Sequence, residues 1–348
     1  GEAAVMTRLK ELCALEGVSG REGAVREYIL RALEASPAEI QASTDALGNI
    51  IAHIRGEKRA TNKLAFVAHM DEVGFIITGA TDEGFLRFSA VGGIDSSVIF
   101  GRRVRINGRY GVIGGRATHQ LKGDDKKKEV PLDKLLIDVA AQNNQEALKI
   151  AKPGDVAVFD SDFVKLRGDR IKARAIDDRG GCALLLEMAA QTPEYDITLA
   201  FTVQEEVGLR GAKTAAFQIE PDIAVVVDST TAADIAGVKA DKQVCKVGGG
   251  PVISFMDKRT LYDIELYDTI FETAKKIGVT PQAKSMVAGG NDAGAIQLSR
   301  KGVRVAAVSL PCRYLHSPSC VILQADFDAA LKLLNALTCE FAVMDELA

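Results

Sequence analysis

The sequence predicts an α/β protein: a mostly parallel, doubly wound sheet with helices on both faces, interrupted by a small inserted β-barrel. Three observations carry that expectation. Apolar runs near 64–68, 197–203, 223–227 and 303–309 have the length and composition of buried strands. From Asp177 onward such strands alternate with helical stretches, the pattern of a parallel sheet covered on both sides. Between Phe75 and about Lys165 the texture changes to short alternating runs (FIITGA, FLRFSAVGG, RRVRING, YGVIGG, DVAVFD) punctuated by glycines, which suits a barrel.

In chain order, VMTRLKELCALE has helical periodicity. A second helix follows in GREGAVREYILRALEA, where Val25, Tyr28, Ile29 and Leu33 share one apolar face. Ser19 and Glu22 have the spacing of a capping box before it. TDALGNIIAHIRG reads as strand with Asp45 and Gly48 as turn punctuation, and Leu64 to Ala68 is the first fully buried strand. PLDKLLIDVAAQNNQEALKIAKPGD interrupts the barrel pattern as a strand plus a short helix. A helix after Asp177, a helix over 261–277 and a last helix over 325–345 complete the expectation. The economical division places 1–74 and 166–348 in one α/β unit and 75–165 in the insert.

Composition narrows the function classes. At 348 residues, with 47% hydrophobic and 26% charged side chains, the chain can bury a sizeable core. A net charge of −4 without a Lys/Arg stripe argues against nucleic acid as a partner. The mixed-sign run from Lys122 to Val130 reads as a solvated loop. None of the six cysteines forms a CxxC pair, which argues against a thiolate zinc site. No apolar stretch approaches about 18 residues, so no membrane span is expected. Free cysteines without an export signal point to the cytoplasm.

The chemistry concentrates where strands end. His69, the pair Glu205–Glu206 and Asp228 directly follow apolar runs, RYLHSP brings His316 after another, and Asp177 opens a helix. In an open α/β sheet, ligands sit beyond the carboxyl ends of the strands. Two imidazoles and several carboxylates meeting there form the donor set for a pair of divalent cations. Asp71, two residues after His69, can accept the second ring N–H and fix the tautomer. Asp177 and Asp178 need a compensating cation, and Arg179 follows them. Neighbouring strand residues face opposite sides, so Glu205 and Glu206 can share a site only if their strand stops there. One glutamate can then bind metal while the other moves a proton. An aspartate after IAVVV is costly unpaired, so Asp228 needs a metal or a cap. His53 reads as structural, and His119 as a group that can reach a neighbouring subunit.

The ordered set HMDEVG, AIDDRGG, QEEVGLRGA, VVVDST and RYLHSP resembles the tetrahedral (TET) dinuclear-metal aminopeptidases, which include glutamyl aminopeptidases and proteins labelled cellulase M. The resemblance runs over essentially the whole chain. It implies a zinc-exopeptidase-like core, with two divalent ions per subunit, zinc first and cobalt or manganese as alternatives. As metal ligands it implies His69, Asp177, Glu206, Asp228 and His316, with Asp177 bridging. Glu205 becomes the general base and Asp71 the carboxylate that orients His69, and the Asp177–Asp178 peptide is commonly cis in relatives. The insert resembles a dimerisation domain, and relatives assemble as dodecamers that act on short peptides. RATHQL, HSPSC and Asn291 depart from the family pattern without touching a proposed ligand.

Three rival readings have distinct signatures. A carboxypeptidase or deacylase on the same core carries its extra domain after the third acidic ligand, whereas here it falls between His69 and Asp177. A glycosidase needs two carboxyl groups about 5–9.5 Å apart around a sugar and leaves the histidines without purpose. A scaffold that has lost its chemistry would lack some of the ligand set.

Overall fold

The computed structural model describes residues 2–120 and 130–345; the charged run read as a solvated loop lies outside them, except Val130. Helices α1 (Glu2–Ala14) and α2 (Gly23–Glu34) precede strands β1 (Ile40–Thr44), β2 (Ile50–Ile54) and β3 (Leu64–His69). Strands β4 (Gly74–Ala80), β5 (Phe85–Val91), β6 (Arg103–Ile106), β7 (Arg109–Gly114), β8 (Leu136–Asp138) and β9 (Val156–Phe159) follow, with α3 (Asn144–Ile150) before the last. Next come β10 (Val164–Lys165), β11 (Arg170–Ala173), α4 (Ile176–Met188), β12 (Ile197–Thr202), α5 (Arg210–Ile219) and β13 (Ile223–Thr231). The chain continues through β14 (Val252–Ile253), α6 (Ile264–Ile277), β15 (Gln282–Ala283), α7 (Ala293–Ile296), β16 (Arg304–Cys312), β17 (Cys320–Leu323) and α8 (Gln324–Ala342).

Eight strands form one sheet in the order β1-β2-β12-β3-β13-β16-β14-β15. Its centre, β12-β3-β13-β16, is parallel throughout. The flanks are antiparallel, through β2 on β12 and β14 on β16. Every residue of β3 and β12 is buried, as expected for strands covered on both faces. Period-two alternation splits β3 between two cores. Phe66 and Ala68 belong to the same core as Leu12 of α1, Ile29 of α2, Leu184 of α4, Ile270 of α6 and Leu334 of α8. Ala65 and Val67 belong to a second core with Ala212, Ala215 and Ala216 of α5 and Ala293 and Ile296 of α7.

The insert closes as a six-stranded barrel in the order β4-β5-β8-β7-β6-β9. Its interior is apolar, with Phe75 edge-on to both Phe88 and Phe159 at centroid separations of 5.2 Å. A separate three-stranded sheet, β10-β11-β17, adjoins the segment that carries His316.

Several local expectations change. The Ser19–Glu22 capping box does not form. Glu22 is the N-cap of α2 without a side-chain cap, and the Ser19 hydroxyl donates instead to Asp71 Oδ2 at 2.6 Å. A charge-assisted bond to a buried carboxylate is stronger than a neutral cap bond. Strand β13 extends through Thr231, so Asp228 lies inside it rather than after it. Strand β1 had no apolar signature because it is an edge strand with a mostly exposed face. Helix α6 starts at Ile264, where the Asp263 side chain accepts the Leu266 N–H at 3.0 Å.

Candidate metal centre

Four adjacent parallel strands deliver most of the cluster. His69 is the last residue of β3, Asp228 lies near the end of β13, the Glu205–Glu206 loop follows β12, and His316 follows β16. Strand β12 stops at Thr202, and Gln204 turns the chain with a positive φ of 54°. This is the termination that two neighbouring glutamates need in order to face one site. Asp177 enters from the first residues of α4, where it and Asp178 have non-helical dihedrals and are joined by a cis peptide.

Asp177 stands between the two imidazoles. Its Oδ1 is 3.1 Å from His69 Nε2, and its Oδ2 is 3.2 Å from His316 Nε2. His69 Nε2 also lies 3.6 Å from Asp228 Oδ1 and 3.8 Å from Glu205 Oε2. His316 Nε2 lies 3.2 Å from Glu206 Oε2. Donor atoms of His69, Asp177 and Asp228 fall within 4.8 Å of one another, as do those of Asp177, Glu206 and His316. His69, Glu205 and Glu206 form a third such group. All donors are imidazole nitrogens or carboxylate oxygens, which suits divalent zinc, cobalt or manganese. The fit has an independent sign: Glu206 Oε1 is buried without a hydrogen-bond partner among the described residues.

Burial and mutual repulsion dominate the electrostatics. Burial, then Asp177, pushes Glu206 up to about 7. Burial raises Glu205 well above the usual carboxylate range; the His69 imidazole opposes this, and the Glu206, Asp228 and Asp292 carboxylates add to it. Asp228 is raised by burial and then by Asp177. Burial disfavours the charged form of His316, but hydrogen bonds to Asp177 and Glu206 outweigh it and lift the imidazole to about 11. For His69 too, burial lowers and the surrounding Glu205, Asp177 and Asp228 raise, with a net rise. Burial alone would raise Asp177, yet the two imidazoles hold it below its ordinary value. The protein's own cations are too few for its carboxylates.

Asp71 does more than its spacing suggested. His69 Nδ1 is 3.0 Å from the Asp71 carbonyl oxygen and 3.3 Å from its Oδ1. The same carboxylate accepts the backbone N–H of Glu205 at 3.0 Å and of Glu206 at 3.1 Å. One side chain thus holds an imidazole and the backbone of both glutamates. Glu22 assists by accepting the N–H of Gln204 at 3.1 Å, a role that no local motif signals. The Asp178 carboxylate is taken up by backbone, accepting the N–H groups of His69 at 3.1 Å and Gly181 at 2.9 Å. A Cβ at residue 181 would sit 2.4 Å from that carboxylate, so only glycine fits.

Arg179 does not neutralise the Asp177–Asp178 pair. It is fully buried and donates to the carbonyls of Met70, Leu12 and Leu15 and to Glu72. These partners lie on the opposite flank from the two histidine side chains. His53 lies outside the cluster, with Nδ1 2.8 Å from the Thr198 hydroxyl. His119 is exposed in a short turn over Thr118–Gln120. Asp292, buried beside Thr202, was not anticipated.

Residues 48–333 match the family model described as M42 glutamyl aminopeptidase. The chain belongs to that family. A lysyl aminopeptidase from Pyrococcus furiosus is 32% identical over 347 residues, which cover 97% of each chain. The Pyrococcus horikoshii TET1 peptidase, solved as an assembly described as a tetrahedron or a large octahedral shell, is 37% identical with a TM-score of 0.84. That comparison covers 96% of this chain and 98% of the other. An aminopeptidase from the archaeon Desulfurococcus kamchatkensis is 32% identical, with a TM-score of 0.91 over 97% and 94% of the two chains. This M42 chain is therefore a hydrolase acting as an aminopeptidase, in a family of metallopeptidases. Membership decides for it over the carboxypeptidase or deacylase reading. Among the described residues, no helix is long and apolar enough to cross a membrane.

Proposed function

We propose that this M42 aminopeptidase removes N-terminal residues from short peptides with two divalent ions held at the strand ends. His69, Asp177 and Asp228 hold one ion, and Asp177, Glu206 and His316 hold the other. The observation that carries this reading is Asp177, which offers one carboxylate oxygen toward each imidazole. Zinc is the first choice of metal, with cobalt or manganese as alternatives, because nitrogen and oxygen donors do not separate them strongly.

Bound there, the ions supply Lewis-acid polarisation of the scissile carbonyl and bring the pKa of water from 15.7 toward about 7. The chain's own part is proton traffic and positioning. Glu205 takes a proton from the attacking water and returns it to the departing amine, so water and amide become acid and amine. Burial strengthens its hold on that proton between the two transfers. Asp71 fixes the His69 ring and the backbone from which Glu205 reaches inward.

The α/β unit of 1–74 and 166–348 is assigned the chemistry, and the barrel of 75–165 the contact between two copies. A dodecamer is the proposed assembly, consistent with the tetrahedron described for the TET1 relative. Six free cysteines fit a reducing, cytoplasmic compartment. The family description names glutamyl and the Pyrococcus furiosus relative lysyl, so a panel of aminoacyl substrates is the route to the preferred residue.

Glu205→Gln tests the assignment of the base. Its kcat should fall roughly 10²–10⁴-fold while elemental analysis still finds both ions. Undiminished turnover would remove Glu205 from this role.

A further inference from the structure

Asp292 is a buried acid that the proposed chemistry does not use, and only 1% of it is exposed. Its Oδ2 is 2.6 Å from the Thr202 hydroxyl, and its Oδ1 has no hydrogen-bond partner among the described residues. The Thr202 hydroxyl also lies 3.3 Å from the carbonyl oxygen of Ala68. A hydroxyl has one hydrogen to give.

That count separates two arrangements. With Asp292 ionised, the Thr202 hydrogen serves Asp292, the Ala68 contact is unmade, and a charged oxygen is left buried and unpartnered. With Asp292 neutral, the acid donates to Thr202, Thr202 donates to Ala68, and the remaining orphan is an uncharged carbonyl oxygen. The second arrangement makes both bonds and avoids the larger desolvation cost. The surroundings agree. The charged groups facing Asp292 are the Asp228 carboxylate of β13, Asp71 after β3 and Glu205 after β12, against the imidazole of His69. Burial raises Asp292, His69 and the Thr202 hydroxyl oppose it, and the Asp228 and Asp71 carboxylates add to it, with a net rise to about 7.

The bonds it makes lie at a strategic joint. Thr202 pairs in register with His69 and is the last residue of β12, three positions before Glu205. The Met70 N–H donates to the Thr202 carbonyl at 2.7 Å, tying the two strand ends a second time. We infer that Asp292, as a neutral acid donating to Thr202, is a positioning residue that fixes the Glu205 loop against His69. This rests on the reading of Glu205 as the base.

Three variants of the metal-loaded enzyme test it: Asp292→Asn, Asp292→Leu and Thr202→Val. Asparagine keeps a neutral donor, so kcat should stay within about threefold of the parent. Leucine and valine each break the relay, and kcat should fall about 10- to 100-fold with KM little changed, the scale of a small misplacement. Thr202→Val preserves shape, so it remains informative if Asp292→Leu does not fold. Infrared difference spectra between the parent and Asp292→Asn at neutral pH should show a protonated carboxyl band lost in the variant. An asparagine variant as impaired as leucine, a lost carboxylate band instead, or full activity in Thr202→Val would each overturn the inference. If the base assignment itself is wrong, Glu205→Gln retains turnover; if only this inference is wrong, Glu205→Gln stays inactive.

Discussion

Asp71 and Glu72 are neighbours, both almost wholly buried, and they face two clusters of opposite balance. Glu72 accepts from Arg174 at 2.8 Å and from Arg179 at 3.2 Å, and it also receives the Gly17 N–H at 3.0 Å. Two guanidinium groups serve one carboxylate, and carbonyl oxygens of Met70, Leu12, Leu15 and Phe159 take their remaining donors. On the Asp71 side, Asp177, Glu205, Glu206 and Asp228 gather around two imidazoles. Burial disfavours the charged form in both places, yet Glu72 ends below its ordinary pKa while Glu206 ends above. The first cluster is complete within the chain and locks α1, β3 and α4 together. The second is short of positive charge, and that shortfall is what two divalent ions would make good.

Ways to break this contrast follow from its size. A chelator should abolish turnover and lower the melting temperature, since ions at about a thousandfold over their Kd stabilise by roughly 4 kcal/mol. Calorimetry with and without chelator checks this; an unchanged transition would mean the second cluster needs no cations. Glu72→Ala should destabilise by about 3–5 kcal/mol, the scale for stripping a buried ion pair of one partner. Chemical denaturation reads that loss, and a change below about 1 kcal/mol would show the arginines are not held by Glu72.

Charge removal in the two clusters should have opposite signs. In metal-free protein, Asp228→Asn relieves repulsion and should raise stability on the order of 1 kcal/mol, while Glu72→Gln lowers it. Acid titration sharpens the point. The Glu72 carboxyl is depressed on folding, chiefly by Arg174 and Arg179 against burial. Its stabilisation is therefore complete above the unfolded value near 4.5 and is lost as pH falls through the lower folded value. Glu72→Gln should flatten that part of the stability profile, and an unaltered acid limb would contradict it. The smallest effect is expected from Ser19→Ala, which removes one bond to Asp71. A loss of about 1 kcal/mol should appear as a modest fall in kcat.

The sequence made the parallel centre of the fold legible because β3 and β12 are buried along their whole length, leaving uninterrupted apolar runs. His69 and Asp228 stood out as ligand candidates because polar groups in or at the end of such apolar runs are costly without a partner; Asp177 opens α4 and His316 sits in a loop, and the structure brings both beside His69 and Glu206. Edge strand β1 carried no signal, since its residues face water. Arg179 was misread because adjacency in sequence says little about direction once a helix begins. Asp71, Glu22 and Asp292 act through backbone N–H groups and a hydroxyl up to 182 positions away, and no local pattern encodes such bonds.

A crystal structure of the metal-supplied protein, with anomalous scattering recorded at the metal edge and Asp177→Asn alongside, tests the two-ion centre at its bridge. Two peaks per chain are expected, one beside His69 and Asp228 and one beside His316 and Glu206, with both weakened in the variant. A single peak, none, or two undiminished peaks in Asp177→Asn would contradict it.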